Sequence, residues 1–152
     1  MPIRPDLRHF YVGPKWAGTR SRILDRAKNK CESCGKPNHR HVWVINLVRG
    51  TFTRAGGPQC WSPVKGDGAR WRWCDLDGAV SKIRLTGRQW NLARRIRVVL
   101  TIAHLNHVAG DDRDENLRAL CQWCHLHYDR VHHAMTRQAR KDAARPILQE
   151  IQ

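Results

Sequence analysis

Two cysteine pairs in this chain have the spacing of metal-chelating loops. Cys31-Glu-Ser-Cys34 and Cys121-Gln-Trp-Cys124 each place two sulfurs on one tight turn, and four thiolates arranged in this way close a tetrahedral zinc site. In a reducing compartment such pairs indicate metal ligands more often than disulfides. We therefore predict a structural Zn²⁺ held by all four cysteines. The alternatives are unligated thiols or a redox pair.

Segment 101–129 is the second place where the residue types could do chemistry. It holds four histidines and five acidic residues, and a neutral imidazole can take a proton from water or bind a divalent cation near neutral pH. The candidates are His104, His107 and His125. The plainer alternatives are that His104 is a buried core histidine, that His107 is a polar loop residue, and that the stretch GDDRDEN is a solvated turn.

The charge of the chain predicts a polyanionic partner. Lys and Arg number 28 against 13 Asp and Glu, a net charge of +15 over 152 residues, and such an excess is typical of proteins that bind nucleic acid. Residues 96–129 reverse the balance, with 3 basic and 5 acidic residues, which favours a bound cation there. The alternative is that the basic residues serve solubility alone.

The elements that must position these side chains can be predicted from sequence periodicity. We expect a helix at 19–30 that delivers the first cysteine pair, and a strand at 95–104 that runs into His104. A polar turn, a second short strand in ENLRALC and a helix from Gln122 to Pro146 follow. Between them, 41–95 is predicted to be a β-rich insertion of strands and loops, with strands at 41–47 and 70–74.

The C-terminal helix, 130–145, is the predicted nucleic-acid contact, because basic side chains neutralise phosphates. Its candidates are Arg130, Arg137, Arg140 and Lys141. Three further histidines nearby, His127, His132 and His133, are predicted to be solvated or to face phosphate, with no catalytic role. Insertion residues Arg70, Trp71, Arg72 and Trp73 could also contact nucleic acid, although tryptophans of this kind more often form a small core.

The predicted parts follow one another in a specific order: a strand, His104, a polar loop, Asn116-Leu117, a second strand, Cys121-x-x-Cys124-His125 and a helix. This order resembles that of the HNH endonucleases of the zinc-stapled ββα-metal type. The resemblance covers the first cysteine pair and roughly 96–130. It implies that His104 is the general base that activates water, that Asn116 braces the loop that follows, and that His125 binds a catalytic divalent ion, with Mg²⁺ or Mn²⁺ expected. The family commonly has an acidic or histidine ligand before the first histidine, where this chain has Ala103. His107 is the nearest replacement in sequence.

The expected architecture is therefore an α+β single domain, 1–152. It has a zinc-stapled ββα-metal core from 19–40 and 96–130, an N-terminal helix and the inserted β-rich region. The expected function is metal-dependent hydrolysis of DNA, with duplex DNA as the partner. A zinc-stabilised DNA-binding module with an inactive site is the second hypothesis, and an RNA-directed or protein-interaction role is the third. The opening MPIRPDLRHF has no secretory pattern and no apolar run is long enough to cross a membrane, so we expect a cytoplasmic protein.

Overall fold

The computed structural model has a mixed α+β fold. It describes residues 5–49, 51–53, 57–63, 71–74, 80–83 and 85–144. These residues form two antiparallel sheets, one of six strands and one of two, and helices precede and follow them. No helix in these ranges is both long enough and apolar enough to cross a membrane.

The N-terminal region begins with a 3-10 helix, Pro5–Tyr11, and continues in α1, Pro14–Arg26. The predicted helix at 19–30 is therefore present but shifted toward the N-terminus, and Thr19 lies buried inside it. Its start is set by Gly13, which has a φ of 88°, and by a proline in the first turn, where a missing N–H costs nothing.

The insertion folds into most of the larger sheet. Its strands are β1 His41–Val48, β2 Thr51–Thr53, β3 Gln59–Pro63, β4 Trp71–Cys74, β5 Val80–Ile83 and β6 Arg94–Arg97. The order is β2-β1-β3-β4-β5, and β6 also pairs with β1. A short helix, α2 Gly87–Trp90, precedes β6. The strands predicted at 41–47 and 70–74 are confirmed. The stretch between them was predicted to be loop, yet its described part contains β2 and β3, because Cys60 and Trp61 are buried against β1.

The strand predicted at 95–104 is divided between the two sheets. β6 ends at Arg97, and β7, Leu100–His104, begins after Val98 and Val99. The backbone of Val98 still hydrogen-bonds to residues 39 and 40, just before β1, whereas Leu100 already pairs with Cys121 in the smaller sheet. The chain therefore changes sheets between Val98 and Leu100. The predicted apolar alternation is nevertheless correct, since Ile96, Val98, Leu100 and Ile102 all pack in the main core.

β7 pairs with β8, Leu117–Cys121, so that His104 lies opposite Leu117 and Leu100 opposite Cys121. The predicted C-terminal helix consists of two helices, α3 Gln122–Tyr128 and α4 Arg130–Ala143. Residues 145 and 146, where that helix was predicted to end, lie outside the described ranges. The strand, loop, strand and helix predicted for 98–140 are therefore confirmed, apart from the interruption at Asp129.

Candidate functional site

The four predicted zinc ligands form one buried cluster. Cys31 and Cys34 lie in the turns after α1, Cys121 is the last residue of β8, and Cys124 is in the first turn of α3. Their four sulfur atoms all lie within 4.8 Å of one another, and no other group of metal-binding side chains in the described ranges is so tight.

The geometry of this cluster fits a tetrahedral ion. Zn–S bonds of about 2.3 Å place neighbouring sulfurs about 3.8 Å apart, and the Cys34 and Cys121 sulfurs are 3.7 Å apart. The backbone N–H of Cys121 donates to Cys31 Sγ at 3.3 Å. The pKa of Cys31 is strongly lowered, first by the side chain of Cys121 and then by those of Cys124 and Cys34, which hydrogen-bond to its sulfur. The cluster could therefore hold a structural metal such as zinc, which thiolates bind.

His104 ends β7 and is buried beneath aromatic side chains from the N-terminal region. Its imidazole is stacked on Trp16, with ring centroids 5.8 Å apart, and meets the edge of Tyr11 at 5.8 Å. His104 Nε2 lies 3.2 Å from Asp112 Oδ1. Burial, and then the charge of Asp112, raise the pKa of Tyr11, so its phenol stays neutral beside the imidazole.

Asn116 holds the loop that follows His104. Its side-chain oxygen accepts the backbone N–H of Asn106 at 3.0 Å, and its amide donates to Asn106 Oδ1 at 3.0 Å and to the Asp111 carbonyl at 2.8 Å. Its own carbonyl accepts the N–H of Leu105 at 2.8 Å. One buried residue thus holds the loop at two places, residues 105–106 and Asp111.

A second cluster surrounds the carboxylate of Asp129, at the junction of α3 and α4. His125 Nε2 lies 3.2 Å from Oδ2, His133 Nε2 lies 3.7 Å from Oδ2, and His107 Nδ1 lies 3.6 Å from Oδ1. Adjacent ligands of an ion at about 2.1 Å are about 3 Å apart when they subtend a right angle. The His125–Asp129 pair therefore has the separation of adjacent ligands, whereas the other imidazoles are more widely spaced.

Thr101 anchors the ring of His125, because its hydroxyl lies 2.7 Å from His125 Nδ1 and 3.4 Å from the Leu120 carbonyl. Burial lowers the pKa of His125 and so favours the neutral imidazole, which is the form that binds metals. With Nδ1 held by the hydroxyl, Nε2 is the ring nitrogen that faces the Asp129 carboxylate. A hydrogen bond to the other ring nitrogen is usual for metal-bound histidines.

His107 has a similar environment. Burial, and then the nearby His132, lower its pKa, so it too favours the neutral form that binds metals. Its ring stacks on that of His132, with centroids 4.1 Å apart. His133 Nε2 is buried with no hydrogen-bond partner within the described part of the chain. His127, by contrast, stacks on Trp123.

Two other acidic residues of this segment, Asp111 and Asp114, are paired with arginines. Asp111 is bound by Arg113, whose guanidinium lowers the pKa of Asp111 to about 2. Asp114 pairs with Arg22 of α1 at 2.6 Å. Asp112 and Asp129 are the carboxylates that face histidines, so these two define the electrostatics of the site.

The sequence pattern did not identify Asp129, and it predicted His133 to be solvated or to face phosphate, whereas His133 Nε2 is buried 3.7 Å from the Asp129 carboxylate. The signal that could have found them is the spacing His125-x-x-x-Asp129-x-x-x-His133, which places side chains on one face of a helix. The predicted nucleic-acid contacts Arg130, Arg137, Arg140 and Lys141 are all exposed on α4. The side chains of residues 70–73 lie outside the described ranges.

Comparisons of this chain with protein-family models, with curated proteins and with solved structures found no match. The functional assignment therefore depends on the residues and their geometry.

Proposed function

We propose that this chain is a metal-dependent endonuclease of the HNH type, which hydrolyses phosphodiester bonds of DNA. The observation that carries the proposal is the combination found on one strand–loop–strand–helix unit. A histidine paired with a carboxylate ends the first strand, an asparagine braces the loop, and a carboxylate surrounded by imidazoles follows the second strand. This combination supports the proposal, since the resemblance implies a general base at the end of the first strand and a metal ligand after the second.

In the proposed reaction His104 is the general base. Asp112 accepts a hydrogen bond from His104 Nε2, which fixes the tautomer in which Nδ1 carries the lone pair. Nδ1 can then take a proton from the attacking water, while Asp112 stabilises the imidazolium that forms. Asn116 keeps the loop with Asp112 in place through its bond to the neighbouring Asp111 carbonyl.

The proposed catalytic ion is held by His125 and Asp129, with His107 as a further ligand. Asp129 supplies the carboxylate ligand that the family commonly has before the first histidine, where this chain has Ala103. A divalent ion at this place would act as a Lewis acid on the phosphate and the leaving 3′ oxygen. Since two of the three donors are imidazoles, Mn²⁺ suits the site better than Mg²⁺, which prefers oxygen ligands.

One observation favours a second candidate, a zinc-stabilised DNA-binding module without activity. The side chain of His104 is only 5% exposed, whereas a general base must contact the water molecule that it activates. Either the cover of Tyr11 and Trp16 moves when DNA binds, or His104 is a structural histidine.

Cleavage of supercoiled plasmid with Mn²⁺, and with a chelator instead, tests the proposal. His104→Ala should lower single-turnover cleavage by about a hundredfold or more, as expected for loss of a general base, with DNA affinity unchanged. His127→Ala is the matched control and should cut like the parent. A parent that binds DNA but never cuts would support the binding module, whereas full cleavage by His104→Ala would remove that residue from the mechanism.

A further inference from the structure

Lys36 is the largest fully buried side chain in the described part of the chain, with 1% of its surface exposed. Lysine is almost never buried to this degree unless its charge is compensated. An ammonium group taken out of water loses its hydration, and only a counter-charge or several hydrogen bonds can replace it. A compensating negative charge is therefore expected close to the Lys36 ammonium group.

The polar contacts of Lys36 are neutral. Its Nζ donates to the side-chain oxygen of Gln59 and lies 5.9 Å from the centre of the Trp123 ring. No carboxylate in the described ranges forms an ion pair with it. An ammonium group has three donors, so one amide oxygen and one aromatic face leave its charge largely uncompensated.

The cysteine cluster is the nearby group that can become negative. Lys36 follows Cys34 by two residues, and its carbonyl accepts the N–H of Cys31 at 2.9 Å. Trp123, whose ring it approaches, lies between Cys121 and Cys124 in the sequence. The Lys36 side chain therefore lies beside the turns that carry the four sulfurs.

We propose that the Lys36 ammonium is the counter-ion of a metal–thiolate centre formed by Cys31, Cys34, Cys121 and Cys124. Four thiolates and one divalent ion together carry two excess negative charges, and a buried ammonium beside them offsets one. The centre and the lysine thus stabilise each other, although neither would be favourable alone in this interior. This role depends on the metal centre but not on the nuclease activity.

The same side chain connects the metal centre to the inserted sheet. Gln59, which accepts its hydrogen bond, belongs to β3, and the indole N–H of Trp61 on the same strand donates to the Cys34 carbonyl at 2.9 Å. The larger sheet therefore supports the first cysteine turn at two points. Loss of the metal should consequently loosen β3 as well as the turns.

Titration of the zinc-free protein with Co²⁺ under anaerobic conditions tests the role of Lys36. The sulfur-to-cobalt absorption reports both affinity and the charge around the thiolates. Lys36→Met should weaken Co²⁺ binding about tenfold or more and shift the absorption to lower energy, since thiolates without a nearby cation give up electrons more readily. Lys30→Met, at an exposed lysine one residue before the first cysteine, is the control and should match the parent.

Lys36→Gln provides a second neutral variant that can still donate to Gln59. It should weaken Co²⁺ binding as Lys36→Met does, because it lacks the charge, and it keeps the test valid if Lys36→Met does not fold. Parental affinity and absorption in either folded variant would overturn the counter-ion role. A parent that binds neither Co²⁺ nor Zn²⁺ would instead refute the metal centre itself.

Discussion

Asp129 is the residue on which the proposed catalytic ion depends most. Its carboxylate is buried and meets imidazoles from three positions, one on each of α3, α4 and the loop after His104. The Asp129 carboxylate forms no ion pair with a lysine or arginine in the described ranges, and a divalent ion would provide its counter-charge. By contrast, the carboxylate of Asp114 is already paired with Arg22.

Asp129→Asn should therefore weaken Mn²⁺ binding by about ten- to a hundredfold, because the amide keeps the shape of the side chain but removes its charge. Calorimetric titration of the protein with Mn²⁺, with the cysteine centre already filled by zinc, would measure the change. Asp114→Asn removes an equal charge from an exposed ion pair and should leave Mn²⁺ affinity at the parental value. Equal affinity in both variants would show that Asp129 is not a ligand.

At the scale of elements, the sequence predicts which helices and strands are present better than it predicts their boundaries. The strand pair β7 and β8 could be predicted because each carries an unbroken apolar pattern, and the cysteine pairs because their spacing is local. The division of 95–104 between two sheets could not be predicted, because the apolar alternation continues while the pairing changes from β1 to β8. The partner of a strand depends on residues distant in sequence.

The candidate site shows the same limit. His104, Asn116 and His125 could be selected from their order along the chain. Asp112 could not, because only the folded loop brings its carboxylate to His104 at the end of β7. The aromatic cover of His104 was also not predicted. It comes from Tyr11 and Trp16, about ninety residues earlier in the sequence, and no local pattern links them.

The N-terminal cover is expected to limit access to His104. Tyr11 and Trp16 pack against each other and on the imidazole, and a side chain at Gly110 would meet Phe10 at 2.7 Å, so the 3-10 helix also lies close against the following loop. Tyr11→Ala should uncover the imidazole while leaving the stacking of Trp16. We expect diethylpyrocarbonate to modify His104 faster and plasmid cleavage to rise at least about threefold, since a larger fraction of molecules is competent.

Trp90→Ala is the control for that experiment, because it removes an exposed aromatic ring that packs on Trp43 and not on His104. It should change neither the rate of His104 modification nor the rate of plasmid cleavage. Faster modification combined with slower cleavage would mean that Tyr11 holds the base in position and does not block it. An unchanged modification rate would mean that the 3-10 helix does not protect His104 in solution.

At the scale of the whole molecule, two exposed basic surfaces could meet a polyanion. One lies on α4, with Arg130, Arg137, Arg140 and Lys141. The other lies on β6, where Arg94, Arg95 and Arg97 are exposed and pair with no carboxylate in the described ranges. β6 is joined to α3 by a hydrogen bond from Gln122 to the Arg97 carbonyl at 3.1 Å, so either surface could continue toward the proposed site.

We expect α4 to be the principal surface, because it begins beside Asp129 and so lies next to the proposed catalytic ion. Replacing Arg137, Arg140 and Lys141 together by Ala should lower the slope of log affinity against log salt by about 2 to 3 for duplex DNA, since each lost phosphate contact removes about 0.9. Replacing Arg94, Arg95 and Arg97 by Ala removes the same net charge and should lower the slope by less than about 1. Because both triple variants change the overall charge equally, a difference between them locates the contacts. A larger effect of the β6 variant would move the DNA to the inserted sheet and away from α4, and equal small effects would mean that the net charge alone attracts it.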